Sequence, residues 1–300
     1  MEVIFLGTGG TVPTPERNTV SVAVRREKEV VLFDCCEGCQ KQIMKSTVSF
    51  MKIRKVFLTH FHGDHFLGLP GMLQTMGLLG RTEPLEIYGP EGTEEFIEGM
   101  LKTGYYGLEF EVKARMLKPG EAVETENFYV RAIKLNHLVP TNGYLFSEKE
   151  RPGKFYPEKA EALGIPKRLY GRLQRGESVR IGGKEVTPDM VIGPPRKGLS
   201  VAYCTDTTPD WDFEVARDCT LLIHDATGTS ELAERLNTFG HSTAGQAAEI
   251  AAKSNAKMLA LIHYSQRYKE TGVLLEEAKK VFPNTIAPVD LQTLTLKYED

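Results

Sequence analysis

Within six positions, His60-Phe61-His62-Gly63-Asp64-His65 places three imidazoles and a carboxylate just after the apolar run Val56-Phe57-Leu58. A strand end needs no such density of nitrogen and oxygen donors. A borderline cation such as zinc, in contrast, favours imidazole and carboxylate ligands. Because His60 and His62 alternate, an extended backbone aims both rings to one side, while the adjacent Asp64 and His65 can reach a second ion. A polar surface turn is the structural alternative, which a motif match alone does not exclude.

Two ions need further ligands, and the chain repeats one arrangement that supplies them: an apolar strand-like run ending in His or Asp. Val130 to Leu135 runs into His137, and Ser200 to Cys204 runs through Thr205 into Asp206. Leu221-Leu222-Ile223 ends at His224, and Met258 to Ile262 ends at His263. Any one of these histidines alone is as well explained by a satisfied structural role. Together with the first motif they read as donors gathered on the rim of a sheet, where α/β proteins place functional groups. Of the seven histidines, only His241, in Gly240-His241-Ser242-Thr243, lies outside both patterns.

The elements that must position these donors alternate between strand and helix. Residues 2–6, 20–26 and 30–34 read as strands and 37–46 as a helix. A buried strand over Val56 to Thr59 precedes a helix from Leu67 to Leu79, and a short strand spans Leu85 to Tyr88. Thr93 to Lys102 reads as a helix capped by Thr93, with Glu94 and Glu95 in its first turn. Strands follow near 109–116, 128–135 and 143–147. Alternation resumes near 200, with a helix from Thr243 to Ser254 and a terminal strand from Leu291 to Lys297. The fold class is α/β.

Composition sets the outer bounds. The 300 residues are 41% hydrophobic and 26% charged, ordinary for a water-soluble protein. No apolar run approaches the ~18 residues of a membrane span. Met1 to Leu6 lacks a basic leader and reads as a first strand, so a cytoplasmic location and no membrane partner are expected. Five cysteines make no disulfide framework in a chain of this length. Cys35 and Cys36 stand close to Cys39, but no second pair completes a four-ligand zinc site, so packing in a reducing compartment is the expectation.

Residues 148–197 break the alternation and are rich in Gly, Pro and charge. From Lys149 to Arg180 there are nine Lys or Arg and four Glu, a local charge of +5; against the whole-chain charge of −3 this leaves −8 elsewhere. A basic segment on an acidic body suits a phosphate polyanion, because counterion release favours the contact. Lys154, Lys167, Arg168, Arg172 and Arg175 are the candidate cations for such a ligand. Phe155, Tyr156 and Tyr170 lie among them and could stack on bases. A solvated connector whose aromatics cover a small core is the other reading. Gly7-Thr8-Gly9-Gly10 could cradle a phosphate, although a turn between strands explains it better. Arg17 carries a fork suited to phosphate or base edges, with Asn18 beside it.

The His60 to His65 motif and the later single donors resemble the metallo-β-lactamase fold of binuclear hydrolases. Phe5-Leu6-Gly7-Thr8-Gly9, Pro13-Thr14-Pro15-Glu16-Arg17-Asn18, His224-Asp225-Ala226-Thr227 and His241-Ser242-Thr243 narrow the resemblance to ribonuclease Z. It extends over essentially the whole chain. It implies an αββα sandwich, one domain over 1–300, with 148–197 as an inserted arm that grips tRNA. It further implies removal of the 3′ trailer from precursor tRNA, leaving a 3′-hydroxyl on the tRNA and a 5′-phosphate on the trailer. A homodimer, in which one subunit's arm presents tRNA to the other, belongs to the same implication.

On this resemblance His60, His62 and His137 would hold one ion and Asp64, His65 and His263 the other, with Asp206 bridging. Two zinc ions per subunit are expected from the imidazole-rich donors, and the set also accommodates manganese or iron. Asp64 would also orient or deprotonate the nucleophile. His241 would protonate the leaving oxygen. Asp225 stands where the family has Glu in a His-Glu-Ala-Thr motif and is the candidate orienting carboxylate, with His224 open between packing and chemistry. The loop of Arg17 and Asn18 would sense the end of the acceptor stem, with Pro15 where a Lys is often found. Lys167-Arg168 replaces a frequent Gly-Pro pair in the arm. The alternative is a binuclear hydrolase of small phosphodiesters or thioesters, which would keep its activity after deletion of 150–175.

Overall fold

The computed structural model describes residues 1–105 and 107–298. Two seven-stranded sheets form the body. The first is ordered Thr293–Thr295, Glu2–Gly7, Ser21–Arg26, Glu29–Phe33, Ile53–Phe57, Leu85–Gly89, Val112–Met116. The second is ordered Thr285–Ile286, Leu259–Ile262, Leu221–Asp225, Ser200–Cys204, Asn142–Glu148, Phe128–Lys134, Ala122–Glu124.

Side-chain alternation builds three apolar layers from these strands. Val3, Phe5, Val31, Phe33 and Phe57 of the first sheet meet Val130, Tyr144, Val201, Tyr203 and Ile223 of the second in a central core. Their neighbours Ile4, Leu6, Leu32 and Val56 face outward, under Leu69, Met72, Leu73 and Met76 of the helix Leu69–Leu78. On the other side Leu222, Leu259 and Leu261 pack beneath Ala244, Ala247, Ala248 and Ala251 of the helix Ala244–Lys253. Strands covered on both faces read as continuous apolar runs, which is why they were recognisable. The arrangement is the expected αββα sandwich. Within each sheet, four consecutive strands run parallel. The ends that follow Phe57, Cys204, Ile223 and Ile262 carry the predicted donors.

Local departures have physical causes. The helix expected from Leu67 is two: a single turn at Gly63–Phe66, then Leu69–Leu78 begun by Pro70 in its first turn. Gly68 joins them because a Cβ there would sit 2.0 Å from the Cys36 carbonyl oxygen. Thr93 is not a cap. Gly92, at φ 88°, precedes the helix Thr93–Leu101, and the Thr93 hydroxyl donates to the Pro90 carbonyl. The strand expected over Val56 to Thr59 ends at Phe57, because the Thr59 amide turns to donate to Asp34 Oδ1 at 2.7 Å. Ala122–Glu124 is a short edge strand that the alternation did not mark. The terminal strand is shortened to Thr293–Thr295. Cys35, Cys36, Cys39, Cys204 and Cys219 are free and buried. Among the described residues no helix is long and apolar enough to cross a membrane.

Ser147–Gly198 forms a second compact unit. Helices Pro157–Ala162 and Tyr170–Gln174 and a hairpin of Val179–Ile181 with Lys184–Val186, turned at Gly182-Gly183, surround a small core of Ala160, Ile165, Leu173, Val179, Val186 and Val191. Phe155 and Tyr170 pack against that core with ring centroids 4.9 Å apart, and the Tyr156 ring carries the Lys159 ammonium. The aromatic side chains expected to stack on bases are therefore largely spent on the unit's own packing. A unit this small has few other apolar groups to bury.

Candidate metal centre

Six donor residues from three separate segments of the chain gather around Asp206. His65 Nε2 and His263 Nε2 lie 3.2 and 3.3 Å from Asp206 Oδ1. His60 Nε2 and His137 Nε2 lie 3.8 and 4.0 Å from Oδ2. Asp64 Oδ2 is 3.5 Å from His65 Nε2 and 3.6 Å from His263 Nε2, and His62 Nδ1 is 3.4 Å from His137 Nε2. Two groups result, each with one atom per residue within 4.8 Å: His60, His62, His137 and Asp206, and Asp64, His65 and His263. Each oxygen of Asp206 faces a different group.

The remaining ring nitrogens of His60, His65, His137 and His263 are held in place. His65 Nδ1 donates to Asp34 Oδ2 at 2.8 Å and His137 Nδ1 to the Gly240 carbonyl at 3.0 Å. His60 Nδ1 meets Thr59 Oγ1, which itself donates to Asp34; His263 Nδ1 meets Thr227 Oγ1, which donates to Asp225. Two carboxylate–threonine relays thus fix the tautomers so that Nε2 lone pairs face inward, as metal-binding histidines require. Asp34 also accepts from Tyr203 Oη at 2.9 Å. Its role was not anticipated: a lone acid after a strand carries no spacing signal. Asp34, Asp206 and His263 adopt left-handed backbone at φ 55°, 53° and 65°, strain of the kind that concentrates at functional sites. Gly10 and Gly240 give the ligands room, since a Cβ would lie 2.4 Å from His263 Nδ1 and 2.3 Å from His137 Nδ1 respectively.

The donors fit a pair of cations. His60, His65 and His263 each leave a buried Nε2 with no hydrogen-bond partner among the described residues, an arrangement native proteins avoid unless something else binds there. Burial, with the neighbouring His65 adding to it, holds His60 well below its usual pKa, so it offers a neutral lone pair. Burial opposes charge on Asp64 and Asp206 too. The close approach of His263 and His65, at 3.2 to 3.6 Å, nevertheless holds both carboxyl groups far below the carboxylate range. Buried imidazole nitrogens without partners, set around ionised carboxylates, are a cation site.

Asp225 and His241 sit beside it. Asp225 is fully buried and accepts from the Thr207 and Thr227 amides and from His241 Nδ1 at 2.9 Å. Burial alone would lower the His241 pKa, but the Asp225 charge and hydrogen bond push it up to about 9. His241 also shares a 4.8 Å group with Asp206 and His263, yet its Nδ1 is 4.0 Å from Asp206 and already bonded to Asp225. His224 stays out of the site: Trp211 Nε1 donates to its Nε2, and its Nδ1 meets the Asp225 carbonyl. It packs.

A cleft of about 700 Å³ opens over these groups, lined by His62, Asp64, His137, Asp206 and His241. Arg235, Arg267 and Phe239 also line it; nothing in their spacing had singled them out. Arg17 and Asn18 do not. The Arg17 guanidinium donates to the Tyr268 and Lys269 carbonyls over the Tyr264 ring, and the Asn18 amide donates to Asp290. Thr11 and Pro13 of the same loop reach the cleft instead. The Thr8 and Gly9 amides bond the Asn18 carbonyl and Gly9–Gly10 pairs as a short strand with Tyr264–Ser265, so the glycine run is neither a phosphate cradle nor the expected turn. In the second unit Lys154, Lys167, Arg168, Arg172 and Arg175 are exposed, the last two paired with Glu177.

This fold and donor cluster define the metallo-β-lactamase class. The architecture is similar to that of the metallo-β-lactamase fold protein YhfI from Bacillus subtilis, at TM-score 0.69 and 18% identity over 98% of this chain and 99% of that one. A family model described as anti-Pycsar protein Apyc1 matches residues 1–150. The chain is 45% identical to ribonuclease Z of Methanosarcina acetivorans over 99% of both, and 40% identical to that of Microcystis aeruginosa over 98% of this chain and 95% of that one. It is also similar to the short form of human tRNase Z, at TM-score 0.72 and 28% identity over 99% of this chain and all of that one. The chain belongs to the ribonuclease Z family.

Proposed function

We infer that the protein is a metal-dependent endoribonuclease that removes the 3′ trailer of precursor tRNA. The observation that carries this reading is Asp206 with each oxygen facing a separate imidazole group, beside a histidine held by a buried carboxylate. His60, His62 and His137 would hold one ion, Asp64, His65 and His263 the other, and Asp206 both. The imidazole-rich donors favour zinc, at two ions per subunit. Such a pair supplies a water of lowered pKa and neutralises phosphate oxygens during in-line displacement.

The chain's own groups do the rest. The water, one proton released to solvent, bonds through its oxygen to phosphorus as the P–O3′ bond breaks. Asp64, held far below the usual carboxylate range, acts as an acceptor that orients the water. His241, with Nδ1 fixed by Asp225, presents Nε2–H to the departing 3′ oxygen and gives it the proton. Arg235 and Arg267 in the cleft bind RNA phosphates. The unit over 147–198, carrying Lys154, Lys167, Arg168, Arg172 and Arg175, acts as the arm on the body of tRNA, supported by its local charge of +5.

Exposed Leu78, Leu79 and Tyr105 support a homodimer contact, and five free buried cysteines support a reducing cytoplasm. End-labelled precursor tRNA, incubated with and without chelator beside Asp64→Ala, tests the function. Metal-dependent release of a 5′-phosphorylated trailer by wild type alone is expected. An intact precursor under metal-replete conditions would show the assignment to be wrong.

A further inference from the structure

A second groove, about 790 Å³, adjoins the metal-ligand cluster. It shares His137 and Leu138 with the first cleft, so these two residues stand between the cavities. Its walls are fixed backbone: the Leu117 amide donates to the Gly89 carbonyl, Asn142 Nδ2 to the Leu117 carbonyl, and the Asn142 amide to the Thr59 carbonyl. Pro90, Pro119 and Pro140 stiffen the rim. Lys118 and Lys134 line it, both exposed, and among the described residues neither ammonium has an ion-pair partner. Glu91 is the acid that lines it.

The polarity of the cut assigns an occupant, resting on the function proposed above. With phosphorus at the cluster and the leaving 3′ oxygen against His241, the RNA upstream of the cut occupies the first cleft. The phosphate stays with the trailer, whose next nucleotides must run away from His241. The groove past His137 begins at a ligand of the same cluster and carries unpaired cations. We propose that this groove holds the single-stranded trailer, through Lys118 and Lys134 on its phosphates. Among the described residues no Phe, Tyr or Trp lines it, so recognition is by charge and independent of trailer sequence.

The test is equilibrium binding in chelator, where no cleavage occurs, of two precursors with trailers of one nucleotide and of about ten nucleotides. In wild type the longer trailer should bind more tightly. Its salt slope (log affinity against log salt) should be steeper by about 1.4, two phosphate contacts at about 0.7 each. Lys118→Ala with Lys134→Ala should erase both differences, and Glu91→Lys should enlarge them. Equal affinities and slopes for the two precursors in wild type overturn the proposal, as does a double variant that keeps the difference between them. Cleavage of both precursors by metal-loaded wild type is the companion measurement. If both are cleaved while the binding difference is absent, only the groove assignment falls; if neither is cleaved, the tRNA reading falls and the groove with it.

Discussion

Replacing Asp34 by Asn should weaken metal binding although Asp34 is not itself among the inward-facing donors. Its carboxylate accepts from the Thr59 amide, Thr59 Oγ1, Tyr203 Oη and His65 Nδ1, at 2.7 to 3.1 Å. Asn keeps the shape and tolerates the left-handed backbone at φ 55°, which Ala does not. One carboxylate oxygen, however, becomes an NH2. That group then faces His65 Nδ1–H, donor against donor, and the imidazole can relieve the clash by moving its proton to Nε2, the nitrogen aimed at Asp206. Loss of such an orienting partner lowers metal affinity about 10–100-fold, roughly 1.4–2.8 kcal/mol. Competition of the protein with a chromophoric chelator for zinc would measure it. Tyr203→Phe, which removes one donor to the same carboxylate and leaves the tautomer alone, should shift affinity far less. Wild-type zinc affinity in Asp34→Asn would refute the relay from carboxylate to ligand.

Three further outcomes are expected. Gly240→Ala should displace His137, because the new Cβ would lie 2.3 Å from its Nδ1 at a φ of 77°; bound metal per chain, measured by plasma mass spectrometry, should fall. His241→Ala should slow cleavage of precursor tRNA by about 10²–10⁴-fold. It should slow bis(p-nitrophenyl) phosphate hydrolysis far less, since that leaving group needs no proton, and equal losses on both substrates would remove the acid role. Asp290 accepts from Thr8 Oγ1, the Asn18 amide and Gln42 Nε2, and burial raises its pKa. A carboxyl group with a raised folded pKa binds more protons folded than unfolded. Its contribution to stability is therefore fully present below about 3.8 and is lost as pH rises through the folded value. The melting temperature of wild type minus that of Asp290→Asn should thus grow from pH 7 to pH 4; a difference independent of pH would count against it.

The catalytic body was legible because its signals are dense or regular. His60 to His65 concentrates four donors in six positions, and the ends of runs such as Val130 to Leu135 and Met258 to Ile262 recur with one pattern, so convergence was readable before any contact was known. Asp34 was silent because its importance lies in what it touches, and a single acid after a strand has many ordinary explanations. Arg235 and Arg267 enter the cleft on irregular segments whose course no periodicity reports. Arg17 illustrates the converse. Its residue type suggested phosphate, but the guanidinium is committed to two backbone carbonyls. Phe155 and Tyr170 misled in the same way, since a unit of this size must bury its few large apolar groups in itself. His137 and His224 follow similar runs, and what each ring touches, Trp211 and the Asp225 carbonyl for His224, separates the packing residue from the donor.

The account depends on two cations acting together across Asp206. Titration of metal-free protein with zinc, following bound ion and precursor cleavage in the same samples, tests this most directly. Cleavage should rise only as the second equivalent binds and should level off at two ions per chain. Full activity at one equivalent, or in chelator, would contradict it.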